Sequence, residues 1–462
     1  MNARHVDALV IGSGQGGGPL AGALARAGRR TVLIERSHIG GTCINEGCTP
    51  SKTMVASARV AYLARRAEDY GVRCDNVRVD LPHVVDRKRA IVRSFRSGSE
   101  RRLTASGVEV LFADARFTGE RRIEARAADG STQTLTADLV IIDTGARPSR
   151  PSIPGLGDVP ALDSTSIMEL ETLPGHLLVL GGGYVGLEFA QMFRRFGSRV
   201  TVIDRGPQLV THEDADVAGA VLAILRDDGI DVVLRAETTH AARTADGVTL
   251  TVQVANEMRT VTGTHLLVAT GRTPNTDTLA AVEGGVALDE RGFVRVDARL
   301  ATTARGVYAV GDVKGGPGFT HISYDDFRIL RANLLEGGTA TTEGRLVPYV
   351  MFIDPQLGGV GLTEREALAH GHKIAIGTLP MANVARAIET AETRGFMKVV
   401  VDRETQRILG AAVLGIEGGE VMSMLQLAMM GGLPYAALRD GVFAHPTLAE
   451  SLNNLFGALT PV

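Results

Sequence analysis

The feature that most constrains this chain is an internal repeat. Residues 6–36, "VDALVIGSGQGGGPLAGALARAGRRTVLIER", read as an apolar strand, a glycine turn, an alanine-rich helix and a second strand that closes on an acid. Residues 176–205, "HLLVLGGGYVGLEFAQMFRRFGSRVTVIDR", repeat that order. The glycines are Gly12, Gly14 and Gly17 in the first copy and Gly181, Gly183 and Gly186 in the second. From Gly12 to Glu35 and from Gly181 to Asp204 the offset is the same, 23 positions. In such a unit the first glycine makes the tight turn, the second admits a pyrophosphate to the backbone and the third lets helix and strand approach. The helix N-terminus then faces the phosphate charge, and the acid accepts hydrogen bonds from a ribose. A single copy is weak evidence. Two copies with one spacing predict two dinucleotide sites, each on an α/β unit.

Bulk properties limit what else the chain can be. At about 150 residues per domain, 462 residues make roughly three domains, and a chain of that size buries a core without disulfide staples. The net charge of -3 leaves no basic footprint, so nucleic acid is not an expected partner. The N-terminal apolar run flows into a glycine turn with no small-residue cleavage site, and no stretch of about 18 apolar residues follows. These features predict a cytoplasmic protein with no membrane partner.

Cysteine is scarce, three in all, yet "GGTCINEGCTPSKT" at residues 40–53 places Cys43 and Cys48 five positions apart. In a reducing compartment such a pair is redox-active or metal-binding rather than structural. The competing readings are a zinc half-site and two buried small side chains. Zinc needs further ligands at matching spacing, and Cys74 is the only other cysteine; no metal site is expected. A helix start beside the pair would favour a thiolate, and Pro50 suits an early helical position.

Two such glycine units, the "GGTCxNxGCxPSK" stretch, "ATGRTPN" (269–275), "GVYAVGD" (306–312) and "HPTLAE" (445–450) together resemble the class I flavoprotein disulfide reductases over nearly the whole chain. That family includes dihydrolipoamide dehydrogenase, glutathione reductase, mercuric reductase and the reactive-chlorine resistance flavoprotein. The resemblance implies a glutathione-reductase-like pair of Rossmann-like domains for FAD and NAD(P), followed by a C-terminal α+β dimerisation domain. The segments would be 1–150 (FAD), 151–270 (NAD(P)), 271–343 (return to FAD) and 344–462 (interface). It implies an obligate homodimer, hydride transfer from NAD(P)H to FAD, and onward reduction of the Cys43–Cys48 disulfide.

Residue roles carry over by motif. Cys43 would be the interchange thiol and Cys48 the thiol that exchanges electrons with the flavin. His445, which by itself reads as a surface histidine beside Glu450, becomes the acid/base of a dyad supplied by the partner subunit. Lys52 and Glu188 match an ion pair at the flavin edge, and Tyr184 matches an aromatic that covers the flavin until nicotinamide displaces it. Thr144, Gly145, Gly271, Gly311 and Asp312 fall in the motifs that close the flavin site. Asp204 would accept from a free 2′-hydroxyl and favours NADH, while the adjacent Arg205 could accommodate the phosphate of NADPH.

Substrate is the least determined property. No cysteine follows Cys74, which counts against mercury, and Glu46 and Thr49 stand where the lipoamide enzyme usually has apolar residues. "FTHISYDDFRIL" and "MANVARAIETAETRGFMKVVVD" look most like the reactive-chlorine resistance flavoprotein and its mercuric-reductase-like neighbours. The expected acceptor is a small disulfide. Reduction of Cu(II), Hg(II), quinones or oxygen is a second reading, and a subunit docked in a larger complex is a third.

Overall fold

The computed structural model describes residues 3–462. It divides into two compact units. The first holds the described residues up to Thr53 with Asp86–Ser149 and Gly271–Arg345, and the second holds Met54–Val85, Arg150–Thr270 and Leu346–Val462. Residues 54–85 thus cluster apart from the remainder of the segment 1–150.

The first unit is built on a seven-stranded sheet. Its path runs Glu109–Phe112, Thr31–Glu35, Arg4–Ile11, Thr132–Ile142, Arg122–Arg126, Asp114–Gly119, with Val307–Ala309 also on Thr132–Ile142. The central pairings are parallel, with Ile11 opposite both Ile34 and Ile142, and Val140 opposite Val307. Parallel strands covered on both faces need apolar side chains on both faces, and "ALVI", "TVLI" and "LVII" supply them. Leu9, Leu33, Ile141 and Val307 are fully buried. The helix Gly17–Arg26 turns Leu20, Ala21 and Leu24 into this core.

The second unit contains a four-stranded parallel sheet in the order Asp231–Val233, Arg199–Ile203, His176–Leu180, His265–Val268. Its register, Leu180 opposite Ile203 and Val268, aligns the C-terminal strand ends. The helix Tyr184–Phe196 is buried over most of its length, the polar Glu188, Gln191 and Arg195 included. A separate six-stranded sheet spans Tyr349–Met351 to Thr460–Pro461, and each of its pairings is antiparallel. The helix Gly418–Met430 packs on it where Gly358 leaves room, since a Cβ there would lie 2.7 Å from the Gly418 carbonyl oxygen. The chain is therefore α/β, with one mixed sheet whose centre is parallel and one wholly parallel sheet, plus an α+β C-terminal portion.

Charge is also buried in the second unit. Arg195 pairs with Asp354, and Arg59 reaches the same carboxylate at 2.5 Å. Arg394 bonds Asp228 at 2.7 Å. The guanidinium of Arg195 lies 3.8 Å from the ring centre of Tyr62. Burial opposes ionisation of Asp354, but these guanidiniums outweigh it and hold its carboxyl below the ordinary aspartate range.

Phe193 is fully buried and meets Phe196 edge to face at 5.8 Å. Phe193→Ala is expected to cost about 3–5 kcal/mol and to lower the thermal midpoint of the second unit. An unchanged midpoint would mean that this helix is not part of its core.

Candidate functional site

In the first glycine turn the missing side chains are replaced by Asp143. Gly12 has φ +99°, and a Cβ there would lie 2.2 Å from the Asp143 carbonyl oxygen. At Gly14 and Gly17 a Cβ would come within 2.7 Å of the Asp143 carboxylate. The Gly17 N–H donates to Asp143 Oδ2 at 2.6 Å. Glu35, closing its strand, accepts from the Ser13 N–H at 3.0 Å and hydroxyl at 2.6 Å, and from the Ser37 N–H at 2.9 Å. The Ser13 hydroxyl in turn accepts from the Gly40 N–H at 3.0 Å, and Gly41 lies so close that a Cβ would sit 2.6 Å from Gly14 Cα. The segment carrying the cysteines is thus attached to the glycine turn itself.

The remaining closing motifs lie in the same unit. Asn275 donates to the Thr144 carbonyl at 2.8 Å from its side chain and to the Gly145 carbonyl at 3.0 Å from its backbone. The Gly271 carbonyl accepts from the Ser149 N–H at 2.9 Å. Gly311, at φ +69°, donates to Asp326 Oδ2 at 2.9 Å, and fully buried Asp326 also receives Lys314 at 3.2 Å and Arg345 at 2.8 Å. Asp312 stands 3.7 Å from Arg272. Burial raises the carboxyls of Asp143 and Asp312 above the usual range. For Asp143 the Gly17 N–H opposes this and the neighbouring acids reinforce it; for Asp312 the cations Arg272 and Lys314 oppose it.

Two buried polar atoms here, Thr144 Oγ1 and Arg272 Nε, have no hydrogen-bond partner among the described residues. Buried polar atoms are normally satisfied. Orphaned donors beside a glycine cradle are what a large polar ligand would complete, and this fits FAD.

Cys43 lies in the short helix Gly41–Asn45, and Cys48 opens the helix Cys48–Arg65; neither forms a disulfide. Asn45 ties this turn down, donating to the Ile39 and Gly41 carbonyls at 3.1 and 2.9 Å and accepting from Arg96 at 2.8 Å. Cys48 Sγ is 3.4 Å from Thr320 Oγ1. A helix start favours a thiolate, yet Cys43 is pushed strongly the other way. Its hydrogen bond to Cys48, burial and the Cys48 charge all raise it, against Thr320 and the Lys52 ammonium. Cys43 therefore resists ionisation while Cys48 stands beside it.

The second turn repeats the logic of the first. A Cβ on Gly181, at φ +117°, would lie 2.4 Å from the Ala269 carbonyl oxygen, and one on Gly186 2.2 Å from that of Gly181. Around Gly183 the space is open. Asp204 accepts from the Gly182 and Gly206 N–H groups, each at 2.6 Å, and Arg205 is exposed. Tyr184 opens the helix that follows the turn. Glu188 is buried on the same helix and accepts from the Phe352 N–H at 2.8 Å; Lys52 belongs to the first unit. His445 Nδ1 is 2.8 Å from Glu450 Oε2, on an imidazole that is 67% exposed.

Several residues here had no sequence signal of their own. Ser13 and Thr320 are small hydroxyls whose partners lie 27 and 272 positions away. Asp143 precedes "TG" at a strand end and is the one that strand-end position could have revealed.

These features define a two-dinucleotide fold with a dithiol on its first turn. The profile of the pyridine nucleotide-disulphide oxidoreductases matches residues 6–326, and that family's dimerisation domain matches 347–456. The chain belongs to this family, FAD-dependent flavoproteins that use NAD(P)H. It is 39% identical to the probable pyridine nucleotide-disulfide oxidoreductase RclA of Escherichia coli, over 97% of this chain and 98% of that protein. It is 36% identical to a mercuric reductase of Streptomyces lividans, over 96% and 94%. A solved Cu(II) complex of the HOCl-induced flavoprotein disulfide reductase RclA superposes with a TM-score of 0.89 at 38% identity, covering 99% of each chain. No helix among the described residues is long and apolar enough to cross a membrane.

Asp143 supplies a pH test. Its folded-state pKa is raised, so between about pH 4 and that higher value the folded protein holds a proton that the unfolded chain has lost. Stability attributable to this group therefore falls as pH rises through the window. Asp143→Asn removes the term, so the variant should gain on the wild type in urea unfolding from about pH 4 upward. Parallel pH profiles would show that Asp143 is not the buried acid described.

Proposed function

We propose that the chain is an NADH-preferring reductase of small disulfides that works through Cys43 and Cys48 as a cytoplasmic homodimer. The observation that carries this reading is the attachment of the cysteine segment to the first glycine turn through Ser13, Gly40 and Gly41. A ligand seated on that turn and the dithiol would be held by one piece of backbone. Bound FAD, with Gly12, Gly14 and Gly17 at its pyrophosphate, Glu35 at a ribose, and Thr144, Gly145, Gly271, Gly311 and Asp312 closing its site, would supply two-electron transfer from NAD(P)H to the cysteine pair. Lys52 and Glu188 would act at its edge. The segments 1–150 with 271–343, 151–270 and 344–462 are taken as the FAD, NAD(P) and interface domains.

The coupling of the thiols assigns their tasks. Cys48 and burial raise the Cys43 thiol; with Cys48 taken as the thiolate of the reduced pair, Cys43 holds the proton and needs a base before it can attack. His445 of the partner subunit is given that role: its Nδ1–H donates to Glu450, which leaves Nε2 to take the Cys43 proton. The Cys43 thiolate then forms a bond to one substrate sulfur as the substrate S–S bond breaks. The departing thiolate takes the proton back from the imidazolium. Cys48 attacks Cys43 Sγ, which closes the Cys43–Cys48 disulfide and releases the second thiolate to be protonated by solvent. One disulfide is reduced to two thiols for each dithiol oxidised. Gly181, Gly183, Gly186 and Tyr184 would form the NAD(P) site, with Asp204 favouring NADH and Arg205 permitting NADPH.

The test is NADH oxidation against lipoamide, glutathione disulfide, Cu(II), Hg(II), quinone and oxygen. Cu(II) is included because a similar protein was solved as its Cu(II) complex. Turnover of one disulfide is expected to vanish in Cys43→Ser, although NADH still bleaches the flavin. His445→Gln should lose about 10²–10⁴-fold. Turnover that survives Cys43→Ser would refute the dithiol route. KM for NADH is expected below that for NADPH in the wild type, with the gap narrowing in Asp204→Ser.

A further inference from the structure

Tyr184 is the residue after Gly183, at the start of the helix that the second glycine turn feeds. Its hydroxyl donates to Glu213 Oε1 at 3.2 Å, and the Tyr349 hydroxyl donates to the same oxygen at 2.6 Å. The two rings stack, with centroids 5.5 Å apart and planes 25° from parallel. Glu213 is only 1% exposed, and burial raises its carboxyl above the ordinary glutamate range even though both phenols stabilise the charge.

Each member of this group is fixed from behind. Tyr349 sits on the strand Tyr349–Met351 opposite Gly359, and a Cβ on Gly359 would lie 2.1 Å from Tyr349 Cζ. The ring therefore rests where only a glycine leaves room. Glu213 ends the segment that follows Asp204. That segment returns to the turn, where the Val210 N–H donates to the Gly182 carbonyl at 3.1 Å and Leu209 lies against Gly182. The next residue, Asp214, accepts from the Glu364 and Arg365 N–H groups at 2.9 and 3.2 Å and from Lys398 at 3.1 Å. The space at Gly183 is open while Tyr184 is held this way.

We propose that Glu213, Tyr349 and Gly359 form a latch that parks the Tyr184 ring clear of the space at Gly183, and thereby sets how tightly a nicotinamide dinucleotide binds the second glycine turn. Glu213 and Tyr349 act through Tyr184 and are positioning residues. The inference rests on the reading of that turn as the NAD(P) site. A released ring is free to turn into the open space and compete with the ligand, so loosening the latch weakens binding.

The test is isothermal titration of flavin-loaded protein with NAD⁺ and NADP⁺, which bind without turnover. Tyr184→Phe removes the ring's own hydrogen bond, Glu213→Met removes the shared acceptor, and Gly359→Ala displaces the Tyr349 ring. Each is expected to raise Kd about three- to tenfold, the worth of roughly one hydrogen bond. KM for the dinucleotide should rise with it. In a Tyr184→Ala background Glu213→Met and Gly359→Ala should no longer raise Kd, because no ring is left to misplace. An unchanged Kd in the single variants overturns the latch. A rise of the same size in the Tyr184→Ala background also overturns it, since general loosening of the fold would then be the cause. Failure of the wild type to bind either nucleotide would overturn both the latch and the NAD(P) assignment.

Discussion

Asp143 lies in the volume that side chains at Gly12, Gly14 and Gly17 would need, and the first unit depends on that exclusion. Because those positions carry no Cβ, the end of Thr132–Ile142 and the start of Gly17–Arg26 can meet across the turn, with the Gly17 N–H bonded to the Asp143 carboxylate. Glu35 is drawn onto the same turn through Ser13, and Gly40 onto Ser13. A side chain at one of three glycines would part helix from sheet and also the cysteine segment from both.

Electrostatics then sets the chemistry on this frame. The unit gathers Glu35, Asp143 and Asp312 at or just past strand ends and Asp326 on the helix Thr320–Leu335, with Arg272, Lys314 and Arg345 as the counterweight. Asp326 receives two cations and a backbone N–H, whereas the Asp143 carboxylate accepts from the Gly17 N–H and lies near the like charges of Asp312, Asp326 and Glu35. At the dithiol the same low-dielectric physics works on a pair of groups instead of one. The neighbouring Cys48 and burial together make the Cys43 thiol hold its proton.

Much of this was legible in the sequence because it is local. Both glycine turns, the strands that feed them, the acids at 23 positions and the helix that begins at Cys48 follow from residue types at fixed short offsets. Long-range placement was not legible. Asp143 meets Gly17 across 126 positions, Thr320 meets Cys48 across 272, and Tyr349 meets Glu213 across 136. No periodicity encodes such meetings, since they exist only once the sheets are assembled. The helix start beside the cysteines was likewise read correctly from Pro50 and its neighbours. Its effect on Cys43 was not, because a thiol's burial and its hydrogen bond to a second thiol are tertiary facts.

The Ser13 hydroxyl lies 2.6 Å from the Glu35 carboxylate and 3.4 Å from the His38 carbonyl, both acceptors for its one proton, while its oxygen accepts from the Gly40 N–H at 3.0 Å. The strand end, the glycine turn and the cysteine segment are therefore joined through one hydroxyl. Cys43 and Cys48 cannot be treated as a cassette that moves between scaffolds with residues 40–53 alone. Their geometry is inherited from positions 13 and 35, which contain no sulfur and perform no chemistry.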